Sequence, residues 1–388
     1  MAVLGKEMRR VRKRLNFAPG AADLTPRVCK AMVQQFVNPW NTEFLDYHDE
    51  TVEMLKEVFG TQNDLVTMMG PIRAAANAAI SSVIEPEDKV ILLANDYWSE
   101  HMIEMVKASG GVPIILAEDW GSPYEPEKLR HLLDKEQGVK AVIGVHVSTS
   151  TGIVNPVKEI GNILKGRKTL FILDVAQSLG GIEVKADDWN VDLAISGNHK
   201  CMSSPAGLSY VTVSKRAWET MERRKIPVSG WYTNLLLWRE LWIKRERLYF
   251  TFCSSLLFGL RAVLDWMFQQ GLGAVYKKYE KTAFLIRKEV IASGLQVVPN
   301  CQECRGCDSQ DRICADTATA IRLPEWINGR SFIEKMDNDH RISVGGGLGK
   351  FAGRIFRVGP TGEAQLIPQN VAALLRAIKS VLQEYKRV

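Results

Sequence analysis

The sequence lacks several features that would place it in particular classes of protein. No apolar run approaches the roughly 18 residues that a membrane-spanning helix needs, and the first residues contain no apolar segment of the kind found in secretory signals. Internal repeats and low-complexity linkers are also missing. These absences predict a soluble, cytoplasmic protein with no membrane partner.

The chain also carries only a small excess of positive over negative charge. The 388 residues include 50 Lys and Arg against 44 Asp and Glu, a formal net charge of +6. Part of this excess lies in "KEMRRVRKR", residues 6–14, which suits a solvated arm, a subunit contact or an anionic-surface patch. No RNA- or DNA-binding module follows it, so we expect residues 1–15 to form an N-terminal arm with no nucleic-acid partner.

Seven cysteines is an odd count for a disulfide framework, so the sequence does not predict one. Cys29, Cys201 and Cys253 are scattered and are expected to be buried thiols. Two C-x2-C steps and a fourth thiol within 14 residues are compatible with zinc or an iron-sulfur cluster, and equally with a surface loop of reduced thiols. These four residues are Cys301, Cys304, Cys307 and Cys314.

Short β-rich runs alternate with helix-compatible stretches from about residue 65. This alternation predicts an α/β domain with a mostly parallel sheet, whose ligands gather beyond the carboxyl ends of the strands. The runs are "KVILLA" (89–94), "VPIILA" (112–117), "KAVIGVHV" (140–147), "TLFILDVA" (169–176) and "VDLAISG" (191–197).

A second, smaller domain is expected after the helical stretch 254–294. Gly271 and Gly273 interrupt that stretch, so we place the large domain at 16–271 and the small one at 272–388. "TATAIRLPEW" as a strand and "PQNVAALLRAIKSVLQEYKRV" as an amphipathic closing helix suit an α+β fold there.

Polar residues follow three of the predicted strands. Thr149 and Ser150 follow "VIGVHVS", Asp174 follows "TLFIL", and Lys200 follows "LAISGNH". Singly, such residues are ordinary turn and surface residues. Together, a lysine amine and a carboxylate at neighbouring strand ends are what Schiff-base chemistry on a pyridine aldehyde requires, because the carboxylate keeps the ring nitrogen protonated.

These motifs resemble the class V aminotransferase family of fold type I pyridoxal-phosphate enzymes. "FILDVAQSLGG" is followed, 26 residues after its Asp, by the Lys of "SGNHK", and then by "PAGLSYVTVSKRAWE". The similarity runs from about "FAPGAADLTPRV" to "IFRVGPTGE", with the alanine:glyoxylate, serine:pyruvate and pyridoxamine:pyruvate branches closest in pattern. It implies a seven-stranded, mostly parallel sheet in the large domain.

The resemblance implies two catalytic residues, Lys200 as the Schiff-base lysine and proton shuttle and Asp174 as the partner of the pyridinium nitrogen. It implies further contacts with the cofactor: Trp98 and Ala176 on the two ring faces, and Thr149 with Gln177 near the phenolic oxygen. Arg357 in "IFRVGP" would bind the substrate carboxylate, for which a planar guanidinium is well suited.

The phosphate-binding turn departs from the family pattern. In "MMGPIRAAANAA" Gly70 is kept, Pro71 removes one N–H donor, and Arg73 stands where a Thr or His is usual. Arg73 could replace the hydroxyl by a charge-assisted contact, and the changed turn leaves pyridoxal 5'-phosphate and an unphosphorylated pyridoxal both open, with the phosphate form favoured.

Three more residues match phosphate contacts of the family. His199 precedes the lysine, Thr251 matches a residue that comes from the neighbouring subunit, and Tyr249 is displaced by one position from a family tyrosine. They imply a homodimer with shared active sites.

The resulting interpretation is an aminotransferase that moves an amino group from a small amino acid to a small 2-oxo acid, pyruvate or glyoxylate, by a ping-pong route. A lyase or cysteine desulfurase on the same fold stays open as an alternative. So does a metal- or redox-responsive binding protein on a scaffold that has lost its activity. The sequence does not identify the amino donor.

Overall fold

A computed structural model describes residues 14–34, 37–246, 250–299 and 313–386. The strands are β1 (Leu15–Asn16), β2 (Asp64–Gly70), β3 (Lys89–Ala94), β4 (Val112–Ala117), β5 (Val139–Val145), β6 (Leu170–Asp174), β7 (Leu193–Gly197), β8 (Gly207–Val213), β9 (Gln296–Val297), β10 (Thr319–Arg322), β11 (Ile342–Ser343), β12 (Gly345–Gly346) and β13 (Ile355–Val358).

Helices cover both sheets. They are α1 (Pro26–Met32), α2 (Thr42–Phe59), α3 (Ile72–Val83), α4 (Tyr97–Ala108), α5 (Pro126–Lys135), α6 (Val157–Leu164), α7 (Lys215–Glu222), α8 (Leu235–Trp242), α9 (Ser254–Gln270), α10 (Leu272–Ala292), α11 (Gly329–His340) and α12 (Pro368–Lys386). Short 3₁₀ turns lie at Gly349–Phe351 and Glu363–Leu366.

The large sheet has seven strands in the order β2-β8-β7-β6-β5-β3-β4. Strands β3 to β7 pair in parallel, and β8 is antiparallel to both β2 and β7. Every residue of β6 and β7 is buried, as expected for inner strands of a parallel sheet that helices cover on both faces. The expected α/β fold with a mostly parallel seven-stranded sheet is confirmed.

The second sheet is antiparallel and has the order β12-β13-β10-β9. Helices α11 and α12 pack on it around buried Phe332, Phe356 and Ile378. The predicted strand in "TATAIRLPEW" is β10, and the closing helix is α12. This sheet is the small antiparallel C-terminal sheet of the fold.

The boundary between a large and a small domain at residue 271 stays a prediction. The structure shows which elements meet near that residue. The left-handed φ of 78° at Gly271 separates α9 from α10. Helix α10 then contributes Tyr279 to the core under the large sheet and Ile286 to the core of the small sheet, so this helix is shared by both cores. The segment before α1 also crosses over, since β1 pairs in parallel with β11.

Local sequence explains where the elements near the large sheet begin. Asp96 caps α4 by accepting from the Ser99 N–H, while the Ser99 hydroxyl bonds back to Asp96. Asn41 caps α2, which ends at Gly60 in the left-handed region with φ 61°. Helix α4 is thereby fixed directly after β3, with Trp98 in its first turn.

Two further expectations concern the surface and the core. No helix among the described residues is long and apolar enough to cross a bilayer. Of the scattered cysteines expected to be buried, Cys201 is buried, but Cys29 is exposed and Cys253 only partly covered. The expectation was wrong for Cys29, which lies on an exposed position of the short helix α1.

A glycine inside α6 is required by a close backbone approach. A Cβ atom at Gly161 would collide with the carbonyl group of Trp189. We therefore predict that Gly161→Ala lowers the free energy of unfolding by about 1–3 kcal/mol, measured by urea denaturation.

The matched control for this change is Gly273→Ala, because Gly273 is also helical but a Cβ atom there would have nothing within 4 Å. It should raise the free energy of unfolding by roughly 0.5–1 kcal/mol, the usual helix preference of Ala over Gly. Equal effects of the two substitutions would contradict the packing argument.

Candidate active site

A cavity of about 300 Å³ lies at the carboxyl ends of β5, β6 and β7. Its walls come from the turn before α1, the start of α3, the first turn of α4 and the segments that follow the three strands. The lining residues are Pro19, Gly20, Ala21, Pro71, Ile72, Arg73, Trp98, Val145, Val147, Thr149, Asp174, Ala176, Gln177, His199 and Lys200. A larger open cleft of about 830 Å³ borders Arg322 and Arg354, but none of the predicted site residues lines it.

Lys200 lies three residues beyond the end of β7 and is buried. Its Nζ donates to Thr149 Oγ1 at 2.7 Å and to Gln177 Oε1 at 2.9 Å. Burial lowers the pKa of the Lys200 amine to about 8, although nearby Asp174 acts in the opposite direction. A substantial fraction of this amine is therefore neutral in mildly alkaline solution and able to act as a nucleophile or base.

Asp174 is the last residue of β6, where its neighbours in the sheet are Val145 and Ile195. Its Oδ1 accepts from the Ala176 N–H at 2.8 Å. Burial raises the pKa of the Asp174 carboxyl, and the Ala176 N–H, Arg73 and Lys200 oppose that rise. A buried carboxylate of this kind gains from any cation that comes close.

Thr149 and Gln177 connect the lysine to the rest of the site. The Thr149 hydroxyl lies 3.0 Å from Gln177 Oε1, and the Gln177 amide donates to the Thr317 carbonyl at 2.8 Å. Thr317 belongs to the segment leading into β10 of the small sheet. The position of the lysine thus depends on both sheets.

The turn before α3 is shaped by Gly70 and Pro71. Gly70 has φ 141°, and a Cβ there would lie 2.9 Å from the Ala74 side chain. Gly70 itself does not line the cavity, whereas Pro71 and Arg73 do. The Arg73 guanidinium carbon lies 4.5 Å from the centroid of the Trp98 ring, a cation–π contact.

His199 and Arg357 add two further nitrogen-bearing groups. His199 lines the cavity, and burial together with the Lys200 charge lowers its pKa to about 4, so the ring is neutral. Arg357 on β13 donates to the Gly346 carbonyl at 2.7 Å and to the Thr149 carbonyl at 3.0 Å. Burial lowers the pKa of Arg357 to about 10, which still leaves it charged near neutral pH.

Some predicted residues lie elsewhere. Thr251 is exposed and does not line the cavity, and Tyr249 lies outside the described residues. Of the four clustered cysteines, Cys301, Cys304 and Cys307 also lie outside them.

The fourth cysteine of the cluster is buried Cys314, which is disulfide-bonded. In that state its sulfur is not a thiolate ligand. Within the described ranges, no group of three or more His, Cys, Asp or Glu could hold a metal ion.

Sequence reasoning missed the contributions of two segments. Pro19, Gly20 and Ala21 form one wall of the cavity, and Thr317 holds the Gln177 amide. The wall residues fall in "FAPGAADL", whose small residues and proline gave no chemical signal. Thr317 acts through its backbone carbonyl, which any residue carries.

The fold and the cavity define a fold type I pyridoxal-phosphate enzyme. The chain belongs to the class V aminotransferase family, whose model matches residues 17–312. An uncharacterized aminotransferase of Methanocaldococcus jannaschii is 32% identical over 372 residues, which cover 96% of this chain and 93% of the relative. The (S)-ureidoglycine–glyoxylate transaminase of Bacillus subtilis is 28% identical, covering 94% of this chain and 89% of the relative.

A solved structure shows the same similarity in three dimensions. The alanine–glyoxylate aminotransferase from Nostoc sp. superimposes with a TM-score of 0.91 at 29% identity, covering 98% of each chain. The predicted family and enzyme class are confirmed.

Burial of Lys200 predicts a pH-dependent cost to stability. The pKa of Lys200 is about 8 in the folded chain and 10.5 when exposed, so between these values the unfolded chain binds more protons and stability rises with pH. Lys200→Met removes this term. The free energy of unfolding of the wild type minus that of the variant should therefore increase by up to about 3 kcal/mol from pH 8 to 10.5.

Urea denaturation of the cofactor-free proteins across that range measures the difference. Lys165→Met, at an exposed position, provides the control, and its difference from the wild type should stay constant with pH. A flat difference for Lys200→Met would show that the amine titrates as in water.

Proposed function

We propose that this aminotransferase moves an amino group from a small amino acid to a small 2-oxo acid, pyruvate or glyoxylate, in two half-reactions of a ping-pong cycle. The observation that carries the proposal is the buried Lys200 amine, which is bonded to Thr149 and Gln177 in a cavity that Asp174 also lines. The glyoxylate acceptors in the names of two relatives, at 28% and 29% identity, support the choice of acceptor.

The donor set of the cavity fits pyridoxal 5'-phosphate, which the family implies. Within the described chain, Arg73 Nη1 and His199 Nδ1 are buried without a hydrogen-bond partner, so both are suited to a phosphate. Trp98 and Ala176 would cover the ring faces, and Asp174 would hold the ring nitrogen. Thr149 and Gln177 would lie near the phenolic oxygen, because both already bond the Lys200 amine.

Bound pyridoxal phosphate supplies an aldehyde for the amine and a protonated ring that withdraws electrons. Lys200 would remove the proton from the α-carbon of the amino acid and deliver a proton to the cofactor carbon that carried the aldehyde. Its pKa of about 8 suits both roles, since a general acid–base works best near the working pH.

Asp174 would keep positive charge on the ring nitrogen of the bound cofactor. Its carboxylate lies at the end of a fully buried strand, where water does not screen it. The Ala176 N–H fixes one carboxylate oxygen and leaves the other for the ring. The carboxylate would thereby keep the ring protonated, and a protonated ring is the group that accepts the electron pair left on the α-carbon.

Arg357 would orient the substrate by its carboxylate. Two of its guanidinium nitrogens are held by the backbone carbonyls of Gly346 and Thr149, which fix the plane of the group. One of those carbonyls belongs to the residue whose hydroxyl bonds Lys200, so carboxylate and base are positioned from the same loop. This arrangement would position the α-carbon of a bound amino acid relative to the lysine.

A homodimer would complete the phosphate site. Thr251 is exposed in the single chain, as expected of a residue that contacts the other subunit's cavity. Trp231, 55% exposed, lies in the segment before it and suits burial at such an interface.

The desulfurase alternative lacks a suitable nucleophile. Residues 342–351, the small-domain loop where a desulfurase would carry its cysteine, contain none. Next to Lys200 stands Cys201, but burial raises its pKa to about 12 and keeps it a thiol. Neither this loop nor Cys201 therefore offers the nucleophilic thiolate that desulfuration needs.

We predict that the enzyme loaded with pyridoxal phosphate performs one half-reaction with a single substrate. Small amino acids supplied one at a time, without an acceptor, should give one equivalent of 2-oxo acid per chain, and added glyoxylate or pyruvate should restore the original absorbance. Continued product release without an acceptor would indicate a lyase. Lys200→Ala is the control and should give no product.

We predict that Arg357→Gln raises KM for amino acids by roughly tenfold to a hundredfold, because a charged hydrogen-bonding partner of the carboxylate is lost. The same variant should use a simple amine without a carboxylate as well as the wild type does. Steady-state kinetics with the matched pair of amino acid and amine measures both. Equal losses for both substrates would place Arg357 in a structural role.

A further inference from the structure

The Arg73 guanidinium lies at the wall of the cavity, where a contact with a cofactor phosphate would not account for its position on the Trp98 ring. It stacks on the Trp98 ring at 4.5 Å, and both side chains line the cavity together with Asp174 and Ala176. A planar cation therefore lies against the aromatic wall of the same cavity that the buried Asp174 carboxylate lines.

The contact with Trp98 is one of the two interactions that a protonated pyridine ring would make in this cavity. Stacking on an indole and attraction to a buried carboxylate are available to a guanidinium as well as to a pyridinium. Arg73 is among the charges that favour the ionised form of Asp174, ahead of Lys200. The arginine thus adds positive charge to the cavity that this carboxylate also lines.

The same arginine is incompletely satisfied in this position. Its Nη1 is buried without a hydrogen-bond partner in the described ranges, and so is Trp98 Nε1. Two positions at the start of α3 give no free donor, because Pro71 has no N–H and the Ala74 N–H bonds to the Pro71 carbonyl at 2.7 Å. A phosphate at this helix start would find in Arg73 the charge that the turn itself lacks.

We propose that Arg73 exchanges partners when the cofactor binds. In the cofactor-free protein its guanidinium lies on Trp98 and takes the place of the pyridine ring, and in the loaded protein it turns to the phosphate. The inference rests on the proposed function and deepens it, because the phosphate is the group to which Arg73 would move when it leaves the Trp98 face. A phosphorylated vitamer is then favoured in two ways: its phosphate binds Arg73, and a ligand without a phosphate has to compete with Arg73 for the Trp98 face.

The test compares two amines that cannot bond covalently to Lys200, pyridoxamine 5'-phosphate and pyridoxamine. Dissociation constants are measured by fluorescence titration of cofactor-free wild type, Arg73→Gln and Arg73→Lys. Arg73→Gln should weaken the phosphorylated ligand by roughly tenfold to a hundredfold and tighten pyridoxamine by roughly twofold to tenfold. Arg73→Lys should retain most of the affinity for the phosphorylated ligand.

The opposite changes in affinity for the two ligands distinguish an exchange of partners from a role of Arg73 in phosphate binding alone or in packing alone. If Arg73→Gln leaves pyridoxamine binding unchanged or weakens it, Arg73 does not compete for the ring site and the inference is overturned. A wild type that binds neither ligand would overturn the proposed function, and this inference with it. Arg239→Ala is the matched control, because its guanidinium stacks on Trp218 at 4.9 Å outside the cavity, and both dissociation constants should stay within twofold.

A structural readout does not depend on affinities. In crystals of the wild type grown without cofactor and then with pyridoxamine 5'-phosphate, Arg73 should leave the Trp98 face and contact the phosphate. Persistence of the 4.5 Å stack in the loaded crystal would refute the exchange.

Discussion

The site depends on keeping a lysine amine out of water at the end of a parallel sheet. Lys200 loses hydration there, and the hydrogen bonds to Thr149 and Gln177 replace only part of it. The result is an amine with a pKa of about 8 rather than 10.5. The residues around it serve to hold this amine in place and to provide opposite charge within reach.

The small sheet provides part of that support. Thr317 fixes Gln177 from the segment before β10, and Arg357 on β13 donates to the Thr149 carbonyl. A backbone bond from Ala315 to Gly152 adds to the same contact. Both residues that bond the lysine are therefore anchored by the small sheet and the segment leading into it, so a shift of that sheet would displace the hydrogen-bond partners of Lys200.

Much of this could be predicted from the sequence, because the chemistry lies in a few residue types at strand ends. The apolar runs before Asp174 and Lys200 predicted buried strands, and parallel order then brings their carboxyl ends together. The resemblance of "FILDVAQSLGG" and "SGNHK" to a known family supplied the roles. What a strand pattern cannot supply is the long-range contact, such as the Thr317 carbonyl on Gln177 or the wall formed by Pro19.

The balance of charge around the cavity explains what it is built to bind. Lys200 and Arg73 line the cavity with positive charge, and Arg357 adds a third cation from outside the lining through its bond to the Thr149 carbonyl. Asp174 is the acidic residue that lines the cavity, and buried Asp96 lies close enough to act on both Lys200 and Asp174. The three cations outnumber the two buried carboxylates, Asp174 and Asp96, so they repel each other in a medium of low dielectric constant, and each loses hydration. A phosphate and a substrate carboxylate would supply compensating negative charge. Binding of these anions would therefore reduce the repulsion among the cationic side chains.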